Sequence, residues 1–276
     1  MNQHTKISAA PDYTAIKQKQ NAAWNSGNYA RIGATLQITG EELAEAAALS
    51  PGAKVLDVAA GNGNASLAFA RRFCQVTSTD YVADLLKAGE ARAAAEGLDI
   101  TYQVADAENL PFADAQFDAV VSSFGVMFAP NQSQAAAELL RTCRQGGKIA
   151  LANWTPESFI GALFKTLGKH VPPPEGLNSP ALWGTTSWLS QVFGEGASHI
   201  EVKRKNFNFR YASPQTFVDF FRTYYGPVHK AFAAVGETGA KALERDILET
   251  IAQFDTSTDE TMMVPSEYAE IIITKA

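Results

Sequence analysis

Three aspartates occupy similar places in the first half of the chain, each at or near the carboxyl end of a short apolar segment. Asp57 precedes a loop that contains Gly61 and Gly63, and Asp80 and Asp106 follow at comparable intervals. Carboxylates at such positions can accept hydrogen bonds from an amine, from both hydroxyls of a ribose and from the exocyclic amine of a base such as adenine. We therefore expect the three side chains to bind one ligand that carries all these groups and needs no phosphate.

The loop after Asp57 joins an apolar segment to the start of a helix, and such turns bring backbone N–H groups close to a ligand. The dinucleotide fingerprint G-x-G-x-x-G/A has a small residue at its third position, where this chain has Ser66. Asp57 would also face the approaching phosphates. The turn thus disfavours an NAD-dependent oxidoreductase, which remains an alternative together with a non-catalytic cofactor-binding protein.

Each aspartate also has a purely structural interpretation. Asp57 and Asp80 could cap the helices that follow them, and Asp106 could be a turn residue. Their joint occurrence at three successive strand ends favours the functional interpretation of the set.

Five segments around these aspartates carry a family resemblance. They are residues 55–64 (VLDVAAGNGN), 79–81 (TDY), 106–112 (DAENLPF), 117–128 (FDAVVSSFGVMF) and 146–149 (GGKI). With them the sequence resembles the class I S-adenosylmethionine-dependent methyltransferases, in particular the small-molecule branch that includes the ubiquinone- and menaquinone-biosynthesis methyltransferases. The resemblance covers roughly residues 20–155. It implies a Rossmann-like fold, S-adenosylmethionine as the cofactor, S-adenosylhomocysteine as its product and a small-molecule substrate.

The resemblance also implies roles for individual residues. The cofactor-binding residues would be Asp57, Ala59, Gly61, Gly63, Asp80, Tyr81, Asp106, Ala107 and Ser123. Asp57 and the glycine loop would hold the methionine end of the cofactor, and Asp80 would take the ribose hydroxyls. Asp106 and the backbone of Ala107 would read the adenine, on which Tyr81 would pack.

Further positions near the cofactor follow from the same resemblance. Ser122 or Ser123 would approach the cofactor amine and the reaction centre, and Tyr29 or Trp24 would close the pocket from the N-terminal helices. Ala59 stands where many relatives have a glycine. Because alanine does not easily adopt a positive φ, we expect an ordinary backbone conformation there.

The acceptor side has weaker signals. The candidate substrate-binding residues are His170, Trp183, Tyr224 and Tyr225, although aromatic residues at such spacing are more often core residues. The sequence identifies no catalytic residue, and His170, His229 and the tyrosine pair are candidates for a general base. Since the C-terminal half of the chain, which contains these residues, is apolar, we expect an aromatic or lipid-like acceptor that is methylated at oxygen or carbon.

An alternation of strands and helices must position these residues. Apolar, β-branched runs predict strands at 55–58, 75–79, 100–104, 117–122 and 148–153, with helices at 65–73, 83–96 and 132–143. Alternating patterns predict two more strands at 199–211 and 268–274. The fold class is therefore α/β, with a doubly wound, mostly parallel seven-stranded sheet and an antiparallel C-terminal strand.

Helical segments should cover this sheet within a single domain that spans residues 1–276. We expect the cover at about 12–49, 156–198 and 213–254, including a short helix at 186–193. A capping box of Thr39 and Glu42 predicts a helix start, and Ser213 before a proline predicts another.

Composition excludes several other classes. The chain of 276 residues has a net charge of −6 without a long basic run, which disfavours nucleic acid as a partner. Its two cysteines and four histidines lack the spacing of metal ligands, so we expect no metal site. Neither a signal peptide nor an apolar run of about 20 residues is present. We therefore expect a cytoplasmic protein with no stable membrane insertion, while the oligomeric state stays open.

Overall fold

A seven-stranded sheet runs through the computed structural model, which describes residues 11–276; the expected domain start at residue 1 lies outside them. The strands are β1 Lys54–Val58, β2 Gln75–Asp80, β3 Ile100–Val104, β4 Phe117–Ser123, β5 Cys143–Trp154, β6 Ala197–Tyr211 and β7 Met262–Lys275. Their spatial order is β3-β2-β1-β4-β5-β7-β6. Strand β7 runs antiparallel to both β5 and β6, whereas the pairs among β1 to β5 are parallel. The predicted fold class is confirmed.

The helices follow the predicted alternation. They are α1 Tyr13–Asn25, α2 Tyr29–Thr35, α3 Gln37–Ala47, α4 Asn64–Arg71, α5 Ala83–Glu96, α6 Gln132–Thr142, α7 Phe159–His170, α8 Thr186–Phe193, α9 Pro214–Tyr224 and α10 Gly226–Ala252. Helices α4 to α6 connect the parallel strands, and the others lie in the three segments predicted as cover. Ser213 caps α9 as expected, since its hydroxyl accepts the Thr216 N–H at 3.1 Å.

The strand order reverses at β1, which pairs in parallel with β2 on one side and with β4 on the other. Asp57 stands opposite Ser78 of β2 and Val121 of β4. The connection after β1 leads to β2 on one side, and the connection after β4 leads to β5 on the other. The two connections diverge and leave a crevice between them at the carboxyl ends of the strands. Open α/β sheets bind their ligands at such a switch point.

The central strands form the most completely buried part of the molecule. Leu56 of β1 and Val120 and Val121 of β4 are fully buried, as apolar residues of strands covered on both faces should be. Burying each such side chain contributes about 1.5–3 kcal/mol. The strands thus provide a rigid platform for the residues at their ends.

Aromatic side chains join the cover to the sheet beyond β5. Phe159 of α7 packs against Phe217 of α9 with ring centroids 5.4 Å apart, and Phe217 stacks on Phe221 at 3.9 Å. Phe209 of β6 contacts all three rings. Such edge-to-face and stacked pairs add specificity to the area they bury, and they fix α7 and α9 against β6.

Two local predictions were wrong. Helix α3 begins at Gln37 rather than at a capping box, and the Thr39 hydroxyl donates to the Leu36 carbonyl at 2.7 Å inside its first turn. Strand β5 begins at Cys143, five residues before the predicted start, and includes the glycine pair that was expected to end a helix. Only glycine fits at position 147, because the Cβ of any other residue would lie 2.7 Å from the Asp118 carbonyl oxygen.

The helices of residues 11–276 were also compared with the length and hydropathy of membrane spans. None is both long enough and apolar enough to cross a bilayer.

Candidate cofactor and acceptor site

A cavity lies at the carboxyl ends of β1 to β4, the edge at which open α/β sheets bind their ligands. Eight of the nine residues expected to bind a cofactor line it: Asp57, Ala59, Gly61, Asp80, Tyr81, Asp106, Ala107 and Ser123. The ninth, Gly63, lies outside the lining and serves as the N-cap of α4 with φ +85°. Trp24 and Tyr29 also line the cavity, from the N-terminal helices.

Asp57 lies in β1 and is fully buried. One of its carboxylate oxygens accepts two hydrogen bonds, and the other accepts none from the described residues. Its Oδ2 accepts the Ser66 N–H at 2.8 Å and the Ser66 hydroxyl at 2.6 Å. Its Oδ1 has no hydrogen-bond partner among the described residues. Burial raises the pKa of Asp57 to about 7, although the hydrogen bonds from Ser66 lower it.

An unpaired buried carboxylate oxygen is costly unless a ligand supplies a donor. An ammonium group would satisfy Asp57 Oδ1 and compensate its charge. The residue therefore fits the amino-acid end of S-adenosylmethionine.

The loop after β1 has a strained backbone, and the expectation of an ordinary conformation at Ala59 was wrong. Ala59 adopts φ +53°, in the left-handed region that glycine favours, at a cost of about 1–3 kcal/mol. The loop is held from both sides, because the Ala60 N–H donates to the Thr79 carbonyl at 2.8 Å and Gly125 packs against Ala59. A Cβ on Gly125 would lie 2.0 Å from the Ala59 carbonyl oxygen.

Asp80 connects this loop to the end of β2. Its Oδ2 accepts the Gly61 N–H at 2.9 Å, and its Oδ1 accepts the Val82 N–H at 2.8 Å. Burial raises the pKa of Asp80 to about 6, against the lowering effect of these backbone donors. Each carboxylate oxygen keeps a further lone pair, which a ribose hydroxyl could use.

Asp106 is paired with a residue that the sequence did not indicate. Lys17 Nζ of α1 lies 2.6 Å from Asp106 Oδ2 and 3.0 Å from Glu108 Oε2. Partial burial lowers the pKa of Lys17, but its hydrogen bonds to the two carboxylates raise it more, so the net shift is upward. Asp106 Oδ1 also accepts the Glu108 N–H at 2.9 Å.

Side chains on one face of helix α1 hold the helix over the cavity through an ion pair and hydrogen bonds. Besides Lys17, the Gln20 side-chain amide donates to the Phe128 carbonyl at 3.2 Å, and that of Asn21 donates to the Tyr81 carbonyl at 2.9 Å. Residues three and four apart share a helix face, so these side chains reach the ends of three different strands. The helix therefore covers this first cavity, the candidate cofactor cavity.

A second, smaller cavity adjoins the first. Its lining consists of Tyr29, Ile32, Leu36, Phe124, Phe128, Trp154, Ile160, Phe209, Phe221 and Tyr225. Tyr29, Phe124 and Phe128 line both cavities. Among the described residues, no Asp, Glu, Lys, Arg or His lines the second cavity, which is therefore apolar apart from two phenol groups and an indole N–H.

The two tyrosines of the second cavity are poor acids. Burial raises the pKa of Tyr29 to about 12, with a further contribution from the charge of Asp80. Burial raises the pKa of Tyr225 still further above its ordinary value. Both hydroxyls therefore stay protonated at neutral pH.

The residues expected to bind substrate are not all brought together. Tyr225 lines the second cavity and packs against Trp24 with ring centroids 5.6 Å apart. Tyr224 lies outside both cavities, beneath the guanidinium of Arg31 at 5.4 Å.

Trp183 and His170 also lie outside both cavities. Trp183 is fully buried and packs against Phe193 at 6.1 Å between ring centroids. The His170 ring nitrogen Nε2 is 2.7 Å from Asp246 Oδ2 in a contact between α7 and α10. His229, a candidate base, has its Nδ1 3.0 Å from the Arg222 carbonyl oxygen and likewise lines neither cavity.

Sequence comparisons agree with the geometry. A family model described as a methyltransferase domain matches residues 56–151. An uncharacterized protein of Mycobacterium tuberculosis is 40% identical over 238 residues, which cover 84% of this chain and 87% of that protein. A demethylmenaquinone methyltransferase of Deinococcus radiodurans is 36% identical over 137 residues, or 48% of this chain and 56% of that enzyme.

Solved structures agree with the fold. The YcgJ protein of Bacillus subtilis superposes with a TM-score of 0.60 at 17% identity, over 86% of this chain and 98% of that one. Geranyl diphosphate methyltransferase in complex with S-adenosylmethionine superposes with a TM-score of 0.52 at 15% identity, over 87% and 85% of the two chains.

Proposed function

Because the chain belongs to the class I S-adenosylmethionine-dependent methyltransferases, we propose that it methylates a small, uncharged aromatic or lipid-like acceptor that binds in the second cavity. The observation that carries this proposal is the apolar lining of that cavity together with the walls it shares with the cofactor cavity. An acceptor in the one would lie next to a cofactor in the other.

The cofactor supplies an activated methyl group when bound. Asp57 Oδ1 would hold its ammonium group, Asp80 its ribose hydroxyls and Asp106 its adenine amine. The last contact requires Lys17 to share or release Asp106, which it contacts at 2.6 Å. Helix α1 then excludes water from above, since it covers the cavity that these carboxylates line.

The lining selects against charged acceptors. Moving an ion into a cavity without a charged partner is strongly unfavourable, and no charged side chain of the described residues lines this one. Flat rings would instead pack against Phe124, Trp154 and Tyr225, because aromatic pairs gain free energy beyond the area they bury. The chemistry of the lining thus supports a neutral ring or an apolar chain.

The lining also bears on the mechanism. Tyr29 and Tyr225 are its ionisable residues, and the raised pKa of each makes it a hydrogen-bond donor rather than a base. Catalysis would therefore depend on orientation of the acceptor, which can contribute about 7–11 kcal/mol. This favours neutral acceptors that are nucleophilic before they lose a proton, such as electron-rich enols and quinols, which would release their proton to solvent after the methyl transfer.

The proposal can be tested by filling the second cavity alone. Ile160 lines it but does not line the cofactor cavity, so Ile160→Trp should abolish transfer of labelled methyl to a panel of phenols and quinols. Affinity for S-adenosylmethionine, measured by calorimetry, should change less than threefold. Ile38→Trp is the matched control, because Ile38 is exposed.

Two results would contradict the proposal. One is full turnover of the phenol panel by Ile160→Trp. The other is methylation of charged amines by the unmodified protein at rates equal to or above those of the neutral ring compounds.

A further inference from the structure

Phe124 stands between the two cavities and lines both. It directly follows β4, and its ring stacks on Trp154 with centroids 4.1 Å apart and an angle of 12° between the planes. Tyr268 meets the same ring edge-on at 5.6 Å. The ring is therefore held in place as part of the wall rather than free to turn aside.

The backbone of Phe124 is strained. Its φ is +56°, in a region that bulky side chains rarely adopt. The conformation is fixed by a hydrogen bond from the Phe124 N–H to the Ala152 carbonyl at 2.8 Å. Strain of this kind persists where the surroundings enforce it, and it is common at ligand sites.

The next residue connects this strain to the cofactor loop. Gly125 lies so close to the Ala59 carbonyl oxygen that a Cβ would be 2.0 Å from it. Ala59 is itself at φ +53° and lines the cofactor cavity. The left-handed turn at Phe124 thus places its ring against Trp154 while the following residue supports the cofactor loop.

We propose that Phe124 is the specificity-determining residue for acceptor size. With Tyr29 and Phe128 it forms the wall that the two cavities share, and its ring would limit how wide a fused ring system can be when it approaches the methyl group. This inference rests on the proposed function, because it assumes that the second cavity holds the acceptor. A residue with only a packing role would affect acceptors of all sizes alike.

The test measures binding of phenol, 2-naphthol and 2-anthrol, which have one, two and three fused rings. Calorimetric titrations are made with S-adenosylhomocysteine present, so that the cofactor cavity is filled. The unmodified protein should bind 2-anthrol at least tenfold more weakly than 2-naphthol. Phe124→Ala should raise the affinity for 2-anthrol relative to phenol by about tenfold, and Phe124→Leu by about threefold.

Phe73 provides a matched control for backbone strain. It has φ +61° and follows a helix, but its side chain is 79% exposed and lines neither cavity. Phe73→Ala should leave the ranking of the three probes unchanged. Phe124→Leu keeps most of the apolar packing, so it tests the proposal even if Phe124→Ala fails to fold.

The outcomes separate this inference from the proposed function. A folded Phe124→Leu or Phe124→Ala variant that binds S-adenosylhomocysteine normally and keeps the original size ranking overturns the role of Phe124. Failure of the unmodified protein to bind any of the three phenols, with normal binding of S-adenosylhomocysteine, overturns the proposed acceptor class instead.

Discussion

The pH dependence of stability tests the environment of Asp57. Burial raises the pKa of its carboxyl group to about 7 in the folded protein, whereas an aspartate in an unfolded chain has a pKa of about 3.9. Between these values the folded state retains a proton that the unfolded state has released. Stability falls with pH wherever the folded state binds more protons. The contribution of Asp57 to the free energy of unfolding should therefore decrease from about pH 4 to pH 7 and then level off.

The expected size follows from the difference between the two pKa values. About three pKa units at 1.36 kcal/mol each amount to about 4 kcal/mol. Asp80 acts in the same direction over a narrower range, because burial raises its pKa to about 6. Asp57→Asn keeps the side-chain shape but cannot ionise. It should match the unmodified protein at pH 4, exceed it in stability by up to about 4 kcal/mol at pH 8, and lack the part of the pH dependence that Asp57 contributes.

Urea unfolding of the cofactor-free protein between pH 4 and pH 8, followed by tryptophan fluorescence, measures this difference. Asp118→Asn is a suitable control, since hydrogen bonds from Arg144 and from the Lys54 backbone lower the pKa of Asp118. That variant should lose stability at neutral pH rather than gain it. Parallel pH profiles for Asp57→Asn and the unmodified protein would refute the reasoning.

Three further predictions concern the walls of the cofactor cavity. Asp80→Ala should weaken binding of S-adenosylmethionine about 10- to 100-fold in calorimetry, since charge-assisted hydrogen bonds contribute about 1.5–3 kcal/mol; the exposed Asp84→Ala should not. Gly125→Ala should lower the free energy of unfolding in urea by about 3 kcal/mol or more, because its Cβ would overlap the Ala59 carbonyl oxygen. Lys17→Met should lower the free energy of unfolding of the cofactor-free protein in urea by up to about 1 kcal/mol, since it removes the partly exposed ion pair with Asp106.

The residues that line the first cavity could be predicted from the sequence because their positions depend on local order along the chain. Asp57, Asp80 and Asp106 lie at or just beyond the carboxyl ends of three parallel strands, and the sheet brings such ends to one edge. Lys17 could not be found in this way. It reaches Asp106 across 89 residues of sequence, and nothing near it in the chain marks it as a partner.

The acceptor side shows the limit more clearly. Tyr225, Trp183 and His170 were candidates on the same grounds, as aromatic or titratable residues in the apolar half of the chain. Tertiary packing separates them. Tyr225 meets Trp24 of α1 beside the second cavity, whereas Trp183 is fully buried elsewhere. The lining of this cavity is assembled from residues between Tyr29 and Tyr225, so no local pattern could reveal it.

Ala59 and Phe124 show why local rules fail where the two cavities meet. Each carries a Cβ that disfavours a positive φ, and yet both adopt one at the carboxyl ends of adjacent strands. Their combined cost is about 2–6 kcal/mol. Gly125 connects them, because its missing Cβ allows the Ala59 carbonyl to approach. Each conformation is thus enforced by the neighbouring strand end rather than by its own sequence neighbours. The strain therefore lies where the cofactor loop and the acceptor wall support each other.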